Sequence, residues 1–388
     1  MSNPINIALG NGALGATLQT ADGVCGMVLT GVSETDGYTA GTPILVTSMA
    51  DVTAAGISNA NNPFAWRQIQ DFYTMAGTGA QLYLMLVPDT MTVDGMCDST
   101  NANGAIALLN FANGAIKFAG VLTDDTVVTV GSITAGINPA CYTGATKAAV
   151  LANIFFTAQN PLRIIIGASS FNNTYSSLTN MTSGTTNNRS FFLLGDYQSG
   201  KAANMGMLLG LIASLPVQRK ISRVRNGALP ISEAYVGTAT VETAGANLAV
   251  ISGKGFITFR TFANVNGYFF SPDVALTAST DDYVFLCRGR VIDKAQRIAY
   301  TMFVQVVDDE IPSVPGTGLI DPGFALSLSN TIEEAINQNM TALGNCTGCT
   351  CFIDPTQNVV ESGTVNVNLA IDSEAYAGTI NVTLGFGL

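Results

Sequence analysis

Few residues of this sequence could perform acid–base or metal chemistry. The 388 residues include no histidine, so the commonest general base and the commonest metal ligand are both absent. The paired carboxylates Asp124-Asp125 and the run Asp308-Asp309-Glu310 lie in turn-like, solvated contexts, where adjacent side chains do not acquire separate acid and base roles. A GxSxG nucleophile elbow and a Walker A lysine motif are also missing. The sequence therefore predicts a protein without catalytic residues.

A glycine-rich segment near the N-terminus matches the dinucleotide-binding pattern GxGxxG at Gly10, Gly12 and Gly15. In that pattern the glycines follow a strand and open a helix, and an acidic residue such as Glu34 follows about 20 residues later. The eight residues from Ala16 to Gly23 are too few for this helix and contain two threonines and a glycine. We interpret the three glycines as the hinge of a flexible arm, with nucleotide binding as the alternative.

Three of the seven cysteines, Cys346, Cys349 and Cys351, lie close together. Their thiolates could fill three positions around a zinc ion, but the fourth ligand would have to come from a distant part of the chain. The odd total and the scattered positions of the other cysteines argue against a secreted disulfide framework. We predict free thiols, no metal and no cofactor.

The charge distribution is acidic overall and basic in one place. The net charge of −11 and the pI near 4.3 argue against binding to nucleic acid. Four of the sixteen cationic residues, Arg219, Lys220, Arg223 and Arg225, fall within seven positions. One interpretation is a solvated strand or loop. The other is an electrostatic contact patch for the acidic faces of sister subunits.

The composition indicates that much of the surface is covered by partners. Charged residues make up 11% of the chain, against roughly 25% in ordinary soluble domains, while hydrophobic residues reach 47%. An unusually large core would give the same composition. We favour burial in an oligomer, because interfaces are depleted of charged residues.

Membrane insertion and secretion are not predicted. The longest apolar stretches, Met205–Val217 and Ala148–Phe156, are shorter than the roughly 18 residues of a spanning helix. Residues 1–11 lack the basic start and the long apolar core of a signal peptide. We expect synthesis and folding in the cytoplasm.

Strand and helix patterns alternate along the chain, which is typical of an α/β fold. Asn62 and Pro63 resemble a helix start, and Gly77 and Gly79 resemble its end. The polar stretch Ser169–Arg189 reads as an exposed excursion. Predicted strands are Val24–Val32, Pro43–Thr47, Gln81–Val87, Lys117–Leu122, Leu162–Ile166, Phe191–Leu194, Gly255–Arg260 and Gly267–Phe270. Predicted helices are Ser48–Ile57, Pro63–Ala76, Asn103–Asn113, Gly144–Gln159, Gly200–Leu215, Tyr283–Phe303 and Pro322–Met340.

Alternating apolar residues mark strands near both ends of the chain. The N-terminal set is Ile5, Ile7 and Leu9, and the C-terminal sets are Val365, Val367, Leu369, Ile371 and then Ile380, Val382, Leu384, Phe386, Leu388. Chain ends fray unless something holds them. We therefore predict that the last strand, Thr379–Leu388, pairs with neighbouring copies.

The order of these elements resembles the tail sheath proteins of contractile phages and related injection systems. The segments that carry the resemblance are GVCGMVLTGV, PILVTS, PFAWRQIQDFYTMAG and AQLYLMLVP, followed near the C-terminus by two long helices and GTINVTLGFGL. It covers the N-terminal ninety residues and roughly the last hundred, whereas residues 95–250 match less clearly.

The resemblance implies how the ends of the chain are used. Both would cross to neighbouring subunits and complete a shared sheet, through Ile5, Ile7 and Leu9 and through Ile380, Val382, Leu384 and Phe386. The expected fold is α/β, with mixed sheets flanked by helices, an N-terminal arm and C-terminal strands for sheet completion between subunits. The expected divisions are an arm at 1–20, part of the sheath core at 21–95, an outward-facing α/β domain at 96–250 and the rest of the core at 251–388.

The implied function is that of a structural subunit that polymerises helically around an inner tube and contracts to drive the tube through a target envelope. Expected partners are further copies of the chain, an inner tube protein, and baseplate and terminator proteins, in a particle made in a bacterial cytoplasm. Another phage tail or capsid building block is the first alternative. A nucleotide-dependent enzyme that uses the glycine motif is the remote one.

Overall fold

A computed structural model describes residues 21–35, 37–124, 132–183, 186–378 and 380–382. It divides into two compact units, unit 1 ending at Gly289 and unit 2 beginning at Arg290. This division differs from the boundaries expected at residues 95 and 250. One sheet of unit 1 takes strands from all three expected segments, because parallel pairing joins strands that are distant in sequence.

Unit 1 contains most of the regular elements. Its strands are β1 (Cys25–Thr30), β2 (Ile44–Val46), β3 (Leu82–Val87), β4 (Phe118–Leu122), β5 (Arg163–Gly167), β6 (Thr186–Asn187), β7 (Ser190–Leu193), β8 (Tyr235–Val236), β9 (Ala239–Thr240), β10 (Phe256–Ile257), β11 (Phe259–Phe262), β12 (Val265–Phe270) and β13 (Leu276–Thr277). Its helices are α1 (Met49–Ala54), α2 (Pro63–Ala76), α3 (Val93–Cys97), α4 (Ala105–Phe111), α5 (Pro139–Thr157), α6 (Met205–Ser214), α7 (Val241–Ala244) and α8 (Asn247–Gly253). Helix α9 (Leu286–Val304) crosses the division between the units.

The central sheet of unit 1 has the strand order β10-β7-β5-β4-β1-β3-β2. All neighbouring pairs are parallel except β2 with β3, which is antiparallel and closes one edge. Leu29 of β1 lies opposite Leu86 of β3 and Leu122 of β4. The strands read as continuous apolar runs because helices cover both faces of the sheet.

Successive residues of a strand enter two different cores. Met27 and Leu29 belong to the core beneath α2 and α6, whereas Val28 and Met85 belong to the core beneath α3, α4 and α5. This alternation follows from the two-residue period of a strand. The fold class predicted from the sequence, α/β with sheets flanked by helices, is confirmed.

Two glycines allow α6 to pack closely against α2. A methyl group at Gly206 would overlap the carbonyl oxygen of Gln68, and one at Gly210 would lie 2.5 Å from the carbonyl oxygen of Phe72. The side chain of Gln68 adds a buried hydrogen bond from the Gly206 backbone N–H to Gln68 Oε1, at 2.9 Å. The two helices are therefore in direct backbone contact.

The predicted start of α2 is confirmed in position, but the Asn62 side chain makes no capping hydrogen bond to the helix and bonds to the segment after β1 instead. Asn62 Oδ1 accepts a hydrogen bond from the Val32 N–H at 2.7 Å, and Asn62 Nδ2 donates to Glu34 Oε1 at 3.0 Å. Glu34 also accepts from Ser58 and Asn61. These hydrogen bonds lower the pKa of Glu34 to about 2, the one from Asn61 most of all.

The polar excursion predicted at Ser169–Arg189 is held in place by one lysine. The Lys254 ammonium donates to the carbonyl oxygens of Tyr175, Ser176 and Leu178, at 3.4, 2.6 and 2.5 Å. Three acceptors match the three donors of an ammonium group. The excursion is therefore anchored at this point rather than only exposed.

Unit 2 contains α10 (Pro322–Ile336), a π-helical turn (Asn337–Thr341), β14 (Gly348–Ile353), α11 (Val359–Ser362) and β15 (Val367–Asp372). Asp321 caps α10 by accepting a hydrogen bond from the Phe324 N–H at 2.9 Å, and Pro322 is the first helical position, where the sequence predicts the helix to begin. The small core of unit 2 contains Ile320, Ala325, Ile353 and Val359.

In the described part of the chain, none of the helices combines the length and the apolar character needed to cross a membrane.

Candidate assembly surfaces

Strands β14 and β15 form an antiparallel pair in unit 2. Cys349 lies opposite Ile371, Cys351 opposite Leu369 and Ile353 opposite Val367. Helix α10 packs against β14, and Glu333 Oε1 accepts a hydrogen bond from the Cys351 N–H at 2.6 Å. The apolar alternation predicted over residues 365–371 is confirmed as a strand that begins at Val367.

The two strands of this pair are covered unequally. Cys351 and Ile353 of β14 are 6% and 3% exposed, whereas their neighbours Val367, Leu369 and Ile371 on β15 are only half-buried. Within the described ranges β15 pairs with no strand other than β14. A two-stranded sheet is marginally stable by itself. The edge of β15 therefore has a half-covered row of apolar side chains and room for a further strand.

The C-terminal strand predicted over Thr379–Leu388 is described only at residues 380–382. These residues adopt no regular structure, and Ile380 and Val382 are 78% and 71% exposed. Leu384 and Phe386 lie outside the described residues. The pairing of this segment with another copy stays a prediction.

The predicted N-terminal arm also lies outside the described residues. This applies to the strand positions Ile5, Ile7 and Leu9 and to the hinge positions Gly10, Gly12 and Gly15. The structure describes the chain from Ala21, where a short 3₁₀ helix (Ala21–Gly23) leads into β1 in the middle of the central sheet.

The four clustered cations lie in residues 219–225, the basic segment, between α6 and β8 of unit 1. The segment overlaps a 3₁₀ turn, Val224–Asn226. Lys220 turns inward, with Nζ 3.2 Å from the centroid of the Phe285 ring, and burial lowers its pKa. Arg223 and Arg225 are exposed, and Arg219 is half-buried. The guanidinium groups of these three arginines form no hydrogen bond or ion pair with any described residue. Lys220 therefore contributes to the packing of unit 1, and the contact patch of the four cations stays a prediction.

The three clustered cysteines lie where β14 meets α10 and the π-helical turn. Cys346 Sγ is 3.4 Å from Thr341 Oγ1, and Cys349 Sγ is 3.7 Å from the carbonyl oxygen of Glu333. Burial, followed by the charge of Glu333, raises the pKa of Cys349 to about 11. That thiol is protonated at neutral pH. Within the described ranges no group of cysteine and carboxylate side chains could hold a metal ion.

Sequence reasoning missed two features of these surfaces. Residues 348–353 are not among the predicted strands, yet they form β14. Cysteine packs like a small apolar residue, so the alternation of Cys349, Cys351 and Ile353 was an available strand signal. The second missed feature is an acidic pocket around Asp71 in unit 1, whose lining residues are far apart in sequence.

The fold of the chain is that of the sheath proteins of contractile injection systems. It matches the helical sheath of the anti-feeding prophage in its contracted state with a TM-score of 0.63 and 13% sequence identity, over 99% of both chains. It matches the six-fold symmetrised baseplate of the same prophage with a TM-score of 0.63 and 15% identity, over 100% of both chains. A third match is the PVC sheath complex of an extracellular contractile injection system in its contracted state, with a TM-score of 0.59 and 15% identity, over 99% of this chain and 98% of that chain.

Within this class of fold, the chain belongs to the DUF2586 family, because residues 3–273 match the DUF2586 N-terminal domain. No curated protein matches the chain. The resemblance to contractile sheath proteins noted from the sequence is confirmed at the level of the fold.

Proposed function

We propose that this chain is the structural subunit of a contractile tail sheath. Copies would polymerise helically around an inner tube and contract to drive the tube through a target envelope. The observation that carries the proposal is the incomplete β14–β15 sheet, in a chain whose fold matches sheath and baseplate proteins along nearly its whole length.

Strand donation explains the unequal burial in unit 2. A strand added beside β15 would cover Val367, Leu369 and Ile371 and would pair with the backbone of that edge. Two donors are predicted, the arm with Ile5, Ile7 and Leu9 and the C-terminal segment with Ile380 and Val382. Full burial of one such side chain stabilises an interface by about 1.5–3 kcal/mol. Each donated side chain therefore adds to the stability of the contact between neighbouring copies, against the entropic cost of association.

Contraction requires subunits that move as rigid bodies and stay linked. The seven-stranded sheet covered by helices on both faces, with α2 and α6 in backbone contact, makes unit 1 suited to that role. Contacts between different surfaces of identical copies extend into an open filament when the rotation does not close. Two packings of the same rigid body that differ in buried contact then form a switch that needs no nucleotide hydrolysis.

The remaining parts of the proposal concern chemistry, partners and location. The sheath role involves no catalysis and no cofactor. The copies surround an inner tube protein and join a baseplate at one end and a terminator at the other. The subunit is made in a bacterial cytoplasm and becomes part of a phage tail or an injection particle.

Electron microscopy of the purified chain tests the assembly. We expect long, hollow, striated cylinders that form without added nucleotide. Closed shells or thin solid tubes would contradict the sheath assignment and would favour a capsid or inner tube component.

A matched pair of substitutions tests strand donation. Val382→Asp places a charge in the apolar row of the predicted strand, whereas Thr383→Asp places the same charge on the opposite side, because side chains alternate along a strand. We expect Val382→Asp, like deletion of residues 379–388, to give a folded subunit that sediments as a monomer, while Thr383→Asp still polymerises. Tubes formed by the truncated chain would rule out C-terminal donation.

A further inference from the structure

A pocket of about 400 Å³ opens on the surface of unit 1 beside α2 and α6. Its walls include Tyr197, Met207 and Ile231, which provide aromatic and aliphatic surface. Two carboxylates also line it, Asp71 from α2 and Glu233 from the segment before β8. None of its described lining residues is a lysine or an arginine. The pocket therefore combines apolar walls with negative charge.

The negative charge of Asp71 is held inside the pocket wall by neutral hydrogen-bond donors. Asn204 Nδ2 donates to Asp71 Oδ2 at 2.7 Å, and the Tyr197 hydroxyl donates to Asp71 Oδ1 at 3.4 Å. Burial is the main influence on this carboxyl and raises its pKa. A cation bound in the pocket would offset the cost of burying the carboxylate.

The nearest guanidinium is already engaged by another carboxylate. Arg67 Nη1 and Nη2 donate to the two oxygens of Asp196 at 2.7 and 2.8 Å. Asp196 is fully buried. The buried cluster thus has two carboxylates and one guanidinium, and this leaves the Asp71 side with the excess negative charge.

The shape and the charge of the pocket suit an arginine side chain. A planar guanidinium can bind a carboxylate such as that of Asp71 through paired hydrogen bonds. Its three-carbon stem can lie along Met207 and Ile231, since long basic side chains bury their stems on apolar surface. Glu233 is exposed at the rim, where it adds attraction at longer range.

The same chain has arginines without partners of their own. All sixteen lysines and arginines lie within the described ranges. Every cationic side chain outside the basic segment contacts a carbonyl, a carboxylate, a ring or another described group. Within the segment, Arg223 and Arg225 are exposed and have no such contact.

We propose that the Asp71 pocket receives the guanidinium group of Arg223 or Arg225 from a second copy of this chain. The proposal rests on the proposed function for its partner, since a sheath subunit meets other copies of itself. It adds a specific side-chain contact to the strand exchange described above. In an open filament each copy can use its pocket toward one neighbour and its arginines toward another.

Binding of an isolated peptide tests the pocket without requiring assembly. The probe is the peptide of residues 217–227, titrated calorimetrically into the full chain below the concentration at which it polymerises. We expect binding that weakens at least about tenfold in Asp71→Asn, because a buried charge pair loses one partner. The control peptide carries glutamine in place of Arg223 and Arg225 and should not bind. Equal binding of the two peptides, or binding unchanged by Asp71→Asn, would overturn the proposal.

Charge reversal tests the same contact in the assembly. Glu233→Arg should reduce polymerisation, and combining it with Arg223→Glu and Arg225→Glu should restore it. Glu310→Arg, the same charge change at an exposed position of unit 2, is the matched control and should have little effect. Normal striated tubes from Asp71→Asn and from both charge variants would refute the pocket contact while leaving the sheath function intact. Absence of tubes from the unmodified chain would refute the function, and the peptide titration would still report on the pocket.

Binding of arginine amide alone, with assembly unaffected by Asp71→Asn, would also overturn the proposal. The pocket would then be a site for a small cation rather than a contact between copies.

Discussion

Replacing Arg67 by methionine should strongly destabilise unit 1. Arg67 holds Asp196 through two hydrogen bonds of 2.7 and 2.8 Å, and the side chains are 14% and 0% exposed. Without Arg67, the donor that remains to the Asp196 carboxylate among the described residues is the Gln198 backbone N–H at 3.0 Å. A buried charge that loses its partner costs about 3–5 kcal/mol. That loss is a large part of the total stability of about 5–15 kcal/mol that is typical of a folded protein.

Urea unfolding measures this loss directly. Trp66 is the only tryptophan and precedes Arg67 on α2, so its fluorescence reports on this part of the fold. Gln70→Met places the same new side chain at an exposed position of the same helix, and we expect it to change the free energy of unfolding by less than about 0.5 kcal/mol.

A double-mutant cycle separates the ion pair from lost packing. Arg67→Met combined with Asp196→Asn leaves no charge at position 196, so the double variant should lose less than the sum of the single losses, with a coupling of about 1–3 kcal/mol. A loss below about 1 kcal/mol for Arg67→Met, or single losses that simply add, would show that this reasoning about the buried pair is wrong.

Two further predictions concern the packing and the pH dependence of unit 1. Gly206→Ala should destabilise the fold by about 1–3 kcal/mol or more, because its methyl group would overlap the Gln68 carbonyl oxygen. Gly253→Ala meets only open space at the end of α8 and should be neutral or stabilising by up to about 1 kcal/mol, and the same urea assay compares the two. The pKa of Glu34 is lowered to about 2, so its contribution to stability is present above the ordinary carboxyl range and is lost as the pH falls toward 2. Glu34→Gln should therefore lower the melting temperature at pH 7 and lower it much less near pH 2. An equal difference in melting temperature between the variant and the original chain at both pH values would contradict the lowered pKa of Glu34.

Local sequence patterns correctly predicted the helices and strands whose position depends only on residues close by in the chain. The starts of α2 at Pro63 and of α10 at Pro322 are confirmed, as are the continuous apolar strands such as β3. These signals depend on caps, glycines and apolar runs, which act over one or two turns of chain. The division between the units was not predictable in this way, since it depends on which distant strands pair.

The assembly surfaces, by contrast, depend on residues that are distant in sequence or on a second copy of the chain. The alternation at Ile380 and Val382 is a sound strand pattern, but a strand needs a partner, and one isolated copy offers none to these exposed residues. Adjacency in sequence suggested that Arg219, Lys220, Arg223 and Arg225 act together, whereas the packing of Lys220 on Phe285 separates it from the others. The pocket joins Asp71, Asn204 and Glu233 across more than 160 positions, so no local pattern could have indicated it.

Before a subunit joins a filament, the half-covered edge of its β15 strand is open to other free subunits. Unpaired strand edges with apolar side chains can pair with one another, and two waiting copies would then block each other's acceptor sites. Such dead-end pairing becomes more frequent as free subunits accumulate, whereas capture at a growing end removes them one at a time. A cell that makes this protein is therefore best served by production matched to the number of growing ends.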